Sequence, residues 1–321
     1  MASFAYDSGK NRVQRVVAIS AIPTLGATKP TDILTQVVYN GALAVNGDEL
    51  LAKQGQPMPI DYAELKPVPP RDEPYPIVVT AAHHDDIEFG VAGSVARWIR
   101  DEGASVTYVI ITDGGSGSND PDITRQQLIA RRRAEQIKAA AEVGVTDLRF
   151  LDYPDGTLQA TLELRRDLTR IIRETKAYRV VCQDPTTIFV REHYINHPDH
   201  RAAGEATLYA AFPSAETRPI FPELLAEGYE PHKIGELFMC LTMNPTHFVD
   251  IGCALEQKMA ALGAHVSQIG ADEDFENGAG KWVRQGNHEG GKLVGVDYAE
   301  FYKVMKFDQP RENWFEDEDK S

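Results

Sequence analysis

From Tyr75 onward the chain alternates between two kinds of apolar pattern, and this alternation restricts its fold more than any other feature. Ile77 to Ala82 is a continuous apolar run, as a strand shows when both of its faces are buried, and Ser105 to Thr112 is a second. Between them Val91, Val95, Trp98 and Ile99 fall on one stripe of a helix predicted over Val91 to Glu102. Arg125 to Val143 reads as a long helix ending at Gly144. Strand-like Asp147 to Leu151, helix-like Leu162 to Thr175, strand-like Arg179 to Cys182 and helix-like Arg201 to Phe212 follow in order. Strands and helices alternating at this spacing predict an α/β, Rossmann-like three-layer fold with a mainly parallel sheet covered on both faces. In such folds ligands bind beyond the carboxyl ends of the strands.

The first 75 residues do not share this regularity. Lys66 to Pro76 holds five prolines and four charged residues, which oppose both helix and sheet pairing, so it reads as a semi-rigid connector. Before it, Val16 to Ile22 reads as a strand. Thr31 to Lys53 mixes a helix-like stretch with the hairpin-favouring pairs Asn40-Gly41 and Asn46-Gly47. The expected organisation is an N-terminal extension and Pro-rich linker over 1–75 and one domain over 76–321. The extension could act as a docking arm in a homo-oligomer.

Charge narrows the partners. With 33 Lys plus Arg against 48 Asp plus Glu, the net charge is −15. A surface that negative repels phosphate backbones and anionic headgroups, which argues against nucleic-acid and membrane-surface roles. No run approaches the roughly 20 apolar residues that span a bilayer, and the first residues lack the pattern of a secretory signal, so a cytoplasmic location is expected. Cys182, Cys240 and Cys253 are odd in number and widely spaced. They read as small buried hydrophobes in a reducing compartment.

Two polar clusters interrupt the apolar pattern at strand ends. His83-His84-Asp85-Asp86 directly follows the first strong strand. His193, then His197-Pro198-Asp199-His200, follows the fourth. Four ionisable groups in a row at the end of a buried strand are costly unless something pairs with them, and a divalent cation does so. A helix beginning at Pro198 aims the rings of His197 and His200 toward one point. Imidazole and carboxylate together suit zinc, and three protein ligands with one open position is the catalytic pattern.

The segment AHHDDIEFG resembles the A-H-P-D-D motif, and HPDHRAAG the H-P-D-H motif, of the PIG-L/LmbE family of zinc-dependent de-N-acetylases. The resemblance covers roughly Pro76 to Phe212. It continues more weakly through HFVDIG (His247 to Gly252), AHVSQ (Ala264 to Gln268) and YAEFYKVM (Tyr298 to Met305). It implies that His83, Asp86 and His200 ligate Zn2+, that Asp85 is the general base acting on the attacking water, and that His197 stabilises the oxyanion or protonates the leaving amine. His84 stands where the family has Pro; facing away from the ligands, it is expected to alter loop rigidity alone.

The resemblance also implies an amino-sugar substrate, with Arg132 and Asp155 contacting sugar hydroxyls. Tyr194 lies three residues before His197, where some relatives place a functional tyrosine two before, and is carried as a substrate contact. The expected activity is hydrolysis of the N-acetyl group of an N-acetylglucosamine-type sugar. The alternatives are a zinc amidase acting on a thiol-sugar conjugate or glycosylated secondary metabolite, a two-metal phosphoesterase, and a non-catalytic sugar-binding protein. The glycine-rich stretch Thr112 to Asp122 lacks the spacing of a phosphate cradle and reads as a flexible rim over the site.

Overall fold

The computed structural model describes residues 62–66, 75–190, 192 and 194–307. The elements expected at Val16 to Ile22 and Thr31 to Lys53, most of the Pro-rich connector, His193 and the acidic tail from Glu312 lie outside them. Among the described residues the strands are β1 (Ala63–Glu64), β2 (Pro76–Ala81), β3 (Ser105–Thr112), β4 (Asp147–Tyr153), β5 (Arg179–Gln183), β6 (Phe189–Val190), β7 (Tyr194–Ile195), β8 (Glu236–Cys240), β9 (His247–Asp250) and β10 (Ala299–Lys306). The α-helices are α1 (Asp86–Gly90), α2 (Ala92–Glu102), α3 (Arg125–Glu142), α4 (Leu162–Thr175), α5 (Pro198–Tyr209), α6 (Pro222–Ala226), α7 (Leu255–Gly263), α8 (Val266–Ile269), α9 (Asp272–Asn277) and α10 (Ala279–Val294).

Eight strands make one sheet in the order β1-β9-β10-β8-β5-β2-β3-β4, and β6 pairs with β7 as a separate hairpin. Every neighbouring pair is parallel except those of β10, which runs antiparallel to both β8 and β9. The apolar runs behave as expected of doubly covered strands. Ile77, Val79 and Ala81 of β2 face one core with Tyr108 and Ile110 of β3, Trp98 of α2 and Leu262 of α7. Val78 of β2 faces the other with Val109 and Ile111 of β3, Val180 and Cys182 of β5 and Leu164 and Leu168 of α4. Because side chains alternate across a strand, a fully apolar run feeds both cores at once, and three layers result.

Local chemistry sets the helix starts. Thr124 caps α3 through a reciprocal capping box with Gln127, and the Thr161 hydroxyl accepts from Leu164 N at the start of α4. The helix expected at Arg201 begins three residues earlier, with His197 as N-cap and Pro198 in its first turn, because proline supplies helical φ and needs no donor there. Asp199 and His200 therefore sit in the first turn of α5. That helix packs close to the sheet at Gly204, where a Cβ would lie 2.2 Å from the Gln183 carbonyl oxygen.

Two findings extend or correct the sequence reading. Ala63–Glu64, within the expected extension, adds a parallel edge strand to β9. Cys182 and Cys240 are buried as expected, whereas Cys253 is exposed beside Arg100. It lies in a short turn before α7 at the protein surface, so it is no part of a core.

Candidate active site

The chain leaves β2 through a tight turn that separates two adjacent carboxylates. Asp85 adopts φ 99°, a left-handed conformation rare outside glycine. Its N–H donates to Gln136 Oε1 at 3.3 Å, and its carbonyl accepts from Glu88 N and Phe89 N as α1 begins. Asp86 then accepts the His83 N–H at 2.7 Å and faces His83 and His200, while Asp85 faces Arg132, whose Nη2 donates to Oδ1 at 3.3 Å.

The second cluster arrives on α5, anchored beside β5. His200 lies one position after Asp199, and its Nδ1 faces the Asn196 carboxamide oxygen at 3.1 Å, so Nδ1 carries the proton and Nε2 the lone pair. His83 is set the other way round. Its Nε2 faces two carboxylates, Asp155 and Asp199, each at 3.2 Å, which places its proton there and leaves Nδ1 with the lone pair.

Three acceptor groups thus converge. His83 Nδ1 lies 3.2 Å from His200 Nε2 and 3.4 Å from Asp86 Oδ2, and His200 Nε2 lies 3.1 Å from Asp86 Oδ1. Ligands about 2.0–2.1 Å from one ion in a tetrahedron stand about 3.3–3.4 Å apart, so each of these separations is close to what a zinc-like cation requires. Lone pairs and a carboxylate aimed at one another inside a protein repel unless a cation or proton lies among them. The fit is therefore both geometric and electrostatic. A second grouping, His83, His197 and Asp199, also comes within reach. It uses the His83 nitrogen already committed to carboxylates, and His197 Nδ1 accepts the Asp199 N–H at 3.2 Å, so the first grouping fits better.

Electrostatics divides the two aspartates. Burial alone raises both, but His200 and His83 beside Asp86 hold it well below the usual carboxylate range. Asp85 is raised to about 6, chiefly by burial, with Arg132 opposing the shift. Burial would lower His83, yet Asp86, Asp155 and Asp199 hold it well above the usual imidazole value. His197 is lowered by burial and by the neighbouring His83 and His200. Its ring lies 4.7 Å from His83 and 5.4 Å from His200, edge-on to the first.

The residues expected to contact substrate are all found on one cavity of about 360 Å³ together with His83, Asp85, Asp86, His197 and His200. Tyr194, on β7, is mostly buried there and its phenol is raised to about 12 by burial and by Asp86. Arg132 is 3 % exposed, and its guanidinium donates to the Gly114 and His84 carbonyls as well as to Asp85. Asp155 accepts from Ser116 N as well as facing His83, and lies 3.8 Å from Arg132. The start of the glycine-rich stretch is tied to the body of the protein: Arg125 pairs with Asp113 at 2.6 and 2.7 Å, and a Cβ on Gly114, at φ 69°, would lie 2.7 Å from the His84 ring. His84 itself stacks on Phe150, and burial together with Arg132 lowers it to about 3, so it packs as a neutral aromatic ring.

Residues 78–211 match the family model PIG-L, described as GlcNAc-PI de-N-acetylase. The diacetylchitobiose deacetylase of Thermococcus kodakarensis is 32 % identical over 222 residues, covering 68 % of this chain and 78 % of that protein. The chain belongs to the PIG-L family. Its relatives include the probable N-acetyl-alpha-D-glucosaminyl L-malate deacetylase 2 of Bacillus anthracis, 30 % identical over 60 % of this chain and 81 % of that protein. The N,N'-diacetylchitobiose deacetylase of Pyrococcus horikoshii superposes with a TM-score of 0.66 at 28 % identity, over 72 % of this chain and 84 % of that one. This PIG-L protein is accordingly a deacetylase, a hydrolase of amide bonds, with a His/Asp site suited to a metal ion.

Sequence reasoning assigned no role to several residues that shape this PIG-L site. Asp199, fully buried, fixes the His83 tautomer and also accepts from Gly156 N and Leu158 N. Its place between Pro198 and His200 was the available signal. Asn196 does the same for His200. Gln136 links Asp85 N to Glu88, which in turn pairs with His265 at 3.1 Å, both side chains being wholly buried. His265 is thus a buried histidine paired through Nε2 alone, its Nδ1 having no hydrogen-bond partner among the described residues, and Glu135 holds Ser267 through two hydrogen bonds.

Proposed function

We propose that this PIG-L protein removes the N-acetyl group from an N-acetylglucosamine-type sugar or glycoconjugate, using a zinc ion held by His83, Asp86 and His200. The observation that carries the reading is the convergence of the His83, Asp86 and His200 acceptors, with a separate raised carboxyl, Asp85, lining the same cavity. When bound, zinc polarises the amide carbonyl and makes water acidic enough to be deprotonated near neutral pH.

The remaining steps belong to side chains. Asp85, with a carboxyl at about 6, is ionised at neutral pH and takes a proton from the attacking water. Arg132 braces this carboxylate through Nη2. His197 holds its proton on Nε2, because Nδ1 accepts a backbone N–H, and donates it in a hydrogen bond to the carbonyl oxygen as charge builds there. The water oxygen bonds to the acyl carbon, the C–N bond breaks, and the nitrogen leaves with its electron pair. Asp85, carrying the proton it took from the water, returns it to the nitrogen and completes the amine. Asp155 and Tyr194 line the cavity as substrate contacts, with Arg132 shared between that wall and the base. The three free cysteines fit a reducing cytoplasm. Acetate release by the zinc-loaded enzyme from free N-acetylglucosamine, its oligomers and its glycosides tests the reading; no release from any of them rejects it.

A further inference from the structure

The residues lining the cavity come from elements on both sides of the ligand cluster, and the two sides, called its arms, differ in chemistry. Sheet order fixes their positions: His83 and Asp86 follow β2, and His200 follows β5, so β3 and β4 lie to one side and β8 and β10 to the other. On the β3/β4 side the walls are Ser116, Gly117, Arg132, Asp155, Gly156 and Gln268, without one carbon-rich side chain among them. On the β8/β10 side they are Phe89 of α1, Leu241 after β8, Val283 of α10 and Phe301 of β10. Most polar groups of that arm are engaged by the protein, the Asn287 carboxamide oxygen being the one side-chain atom there without a hydrogen-bond partner among the described residues. The Glu300 carboxylate takes hydrogen bonds from Gly93 N, Ser94 N, Lys258 Nζ and Tyr302 Oη. Thr242 donates to Asp184, and Asn287 Nδ2 donates to the Ala299 carbonyl.

We propose that the apolar arm between Phe89, Leu241, Val283 and Phe301 receives the acyl chain of the scissile amide, and that the preferred substrates are amino sugars bearing N-acyl groups longer than acetyl. The inference rests on the amidase reading above. An amide carries the amine-bearing sugar on one side of its carbonyl carbon and the acyl chain on the other. With that carbon at the ligand cluster and hydroxyls met by the polar arm, the acyl chain enters the arm opposite. A cavity of about 360 Å³ lies in the range of roughly 300–1,000 Å³ that drug-sized ligands fill. Each methylene buried in the arm should improve binding about fourfold, the equivalent of ~0.8 kcal/mol.

Two series on the zinc-loaded enzyme test this. In the first, kcat/KM is measured by amine release from methyl glucosaminides bearing acetyl, propionyl, butanoyl and hexanoyl groups, with an octyl N-acetylglucosaminide as the aglycone control. In the second, calorimetry gives Kd for acetate, propionate, butanoate and hexanoate, the carboxylate products, without requiring turnover. The proposal expects both kcat/KM and affinity to rise about fourfold per methylene through butanoyl. Val283→Phe should remove that rise and Leu241→Ala should extend it to hexanoyl, with zinc content and circular dichroism showing that each variant folds. Acetyl as the best acyl group with a flat carboxylate series overturns the acyl arm and leaves the deacetylase reading intact. A rise with the octyl aglycone in place of the acyl series also overturns it. A graded carboxylate series with no amide cleaved supports the arm and rejects the amidase reading instead.

Discussion

Two buried clusters of ionisable side chains lie near the carboxyl edge of this sheet, and they solve the same physical problem in opposite ways. Around Glu300, every charge is answered from within the protein. Lys258 pairs with it at 2.6 Å, two N–H groups from the start of α2 point at it, and Tyr302 donates at 3.1 Å. Around His83, Asp86 and His200, three acceptors face one another and the protons sit on the far nitrogens, held there by Asp155, Asp199 and Asn196. The first cluster is complete as it stands, and the second calls for a cation or a proton in its centre. Buried charge alone therefore does not mark a functional site; convergent donors of one kind, oriented by an outer layer of carboxylates and amides, do.

The comparison can be broken most severely at the His/Asp cluster. Asp85→Asn should retain zinc yet lower kcat by roughly 10²–10⁴, the usual worth of a positioned base, and steady-state amine release with metal analysis measures both. Full activity in this variant would remove Asp85 from the mechanism. The Glu300 cluster should answer differently. Lys258→Met leaves a buried carboxylate without its cation and should cost about 3–5 kcal/mol of stability with zinc content unchanged, as chemical denaturation would reveal.

Smaller changes sharpen the contrast. Asp199→Asn takes away the charge behind His83 while leaving all three ligands in place, and should weaken zinc 10–100-fold, a typical cost of losing such a partner as ~1.4–2.7 kcal/mol. Competition with a chelator of known affinity measures this. The smallest effect concerns pH. Burial would lower His265, but Glu88 raises it above the ordinary imidazole value. A group whose folded value is raised contributes stability that is full below its unfolded value near ~6.5 and is lost as pH rises through the folded value. Wild-type denaturation midpoints should accordingly decline above neutrality, and His265→Asn should flatten that decline.

How much of this was legible in the sequence follows from the range of each interaction. Strands from Ile77 to Cys182 and the helices between them announce themselves through local periodicity, and all reappear within a few residues of the expected bounds. The meeting of His83, Asp86 and His200 was readable because each half is a compact motif at a strand end. Beyond Phe212 periodicity yields little: β8 is five residues long, β9 four, and β10 enters antiparallel from the end of the chain. The Glu88–His265 pair spans 177 positions. The apolar arm draws single residues from α1, the β8 turn, α10 and β10, so no segment of sequence carries its signature. The role of Asp199 was hidden for a related reason, since a carboxylate in a motif gives no hint of which histidine it will face.

Zinc binding tests the central claim most directly. Chelator-treated protein titrated with zinc should take up one ion per chain in the wild type, in Asp85→Asn and in Lys258→Met, and His200→Ala should lose that tight site. Unchanged zinc stoichiometry and affinity in His200→Ala would contradict the account, because the convergence of His83, Asp86 and His200 would then hold no ion.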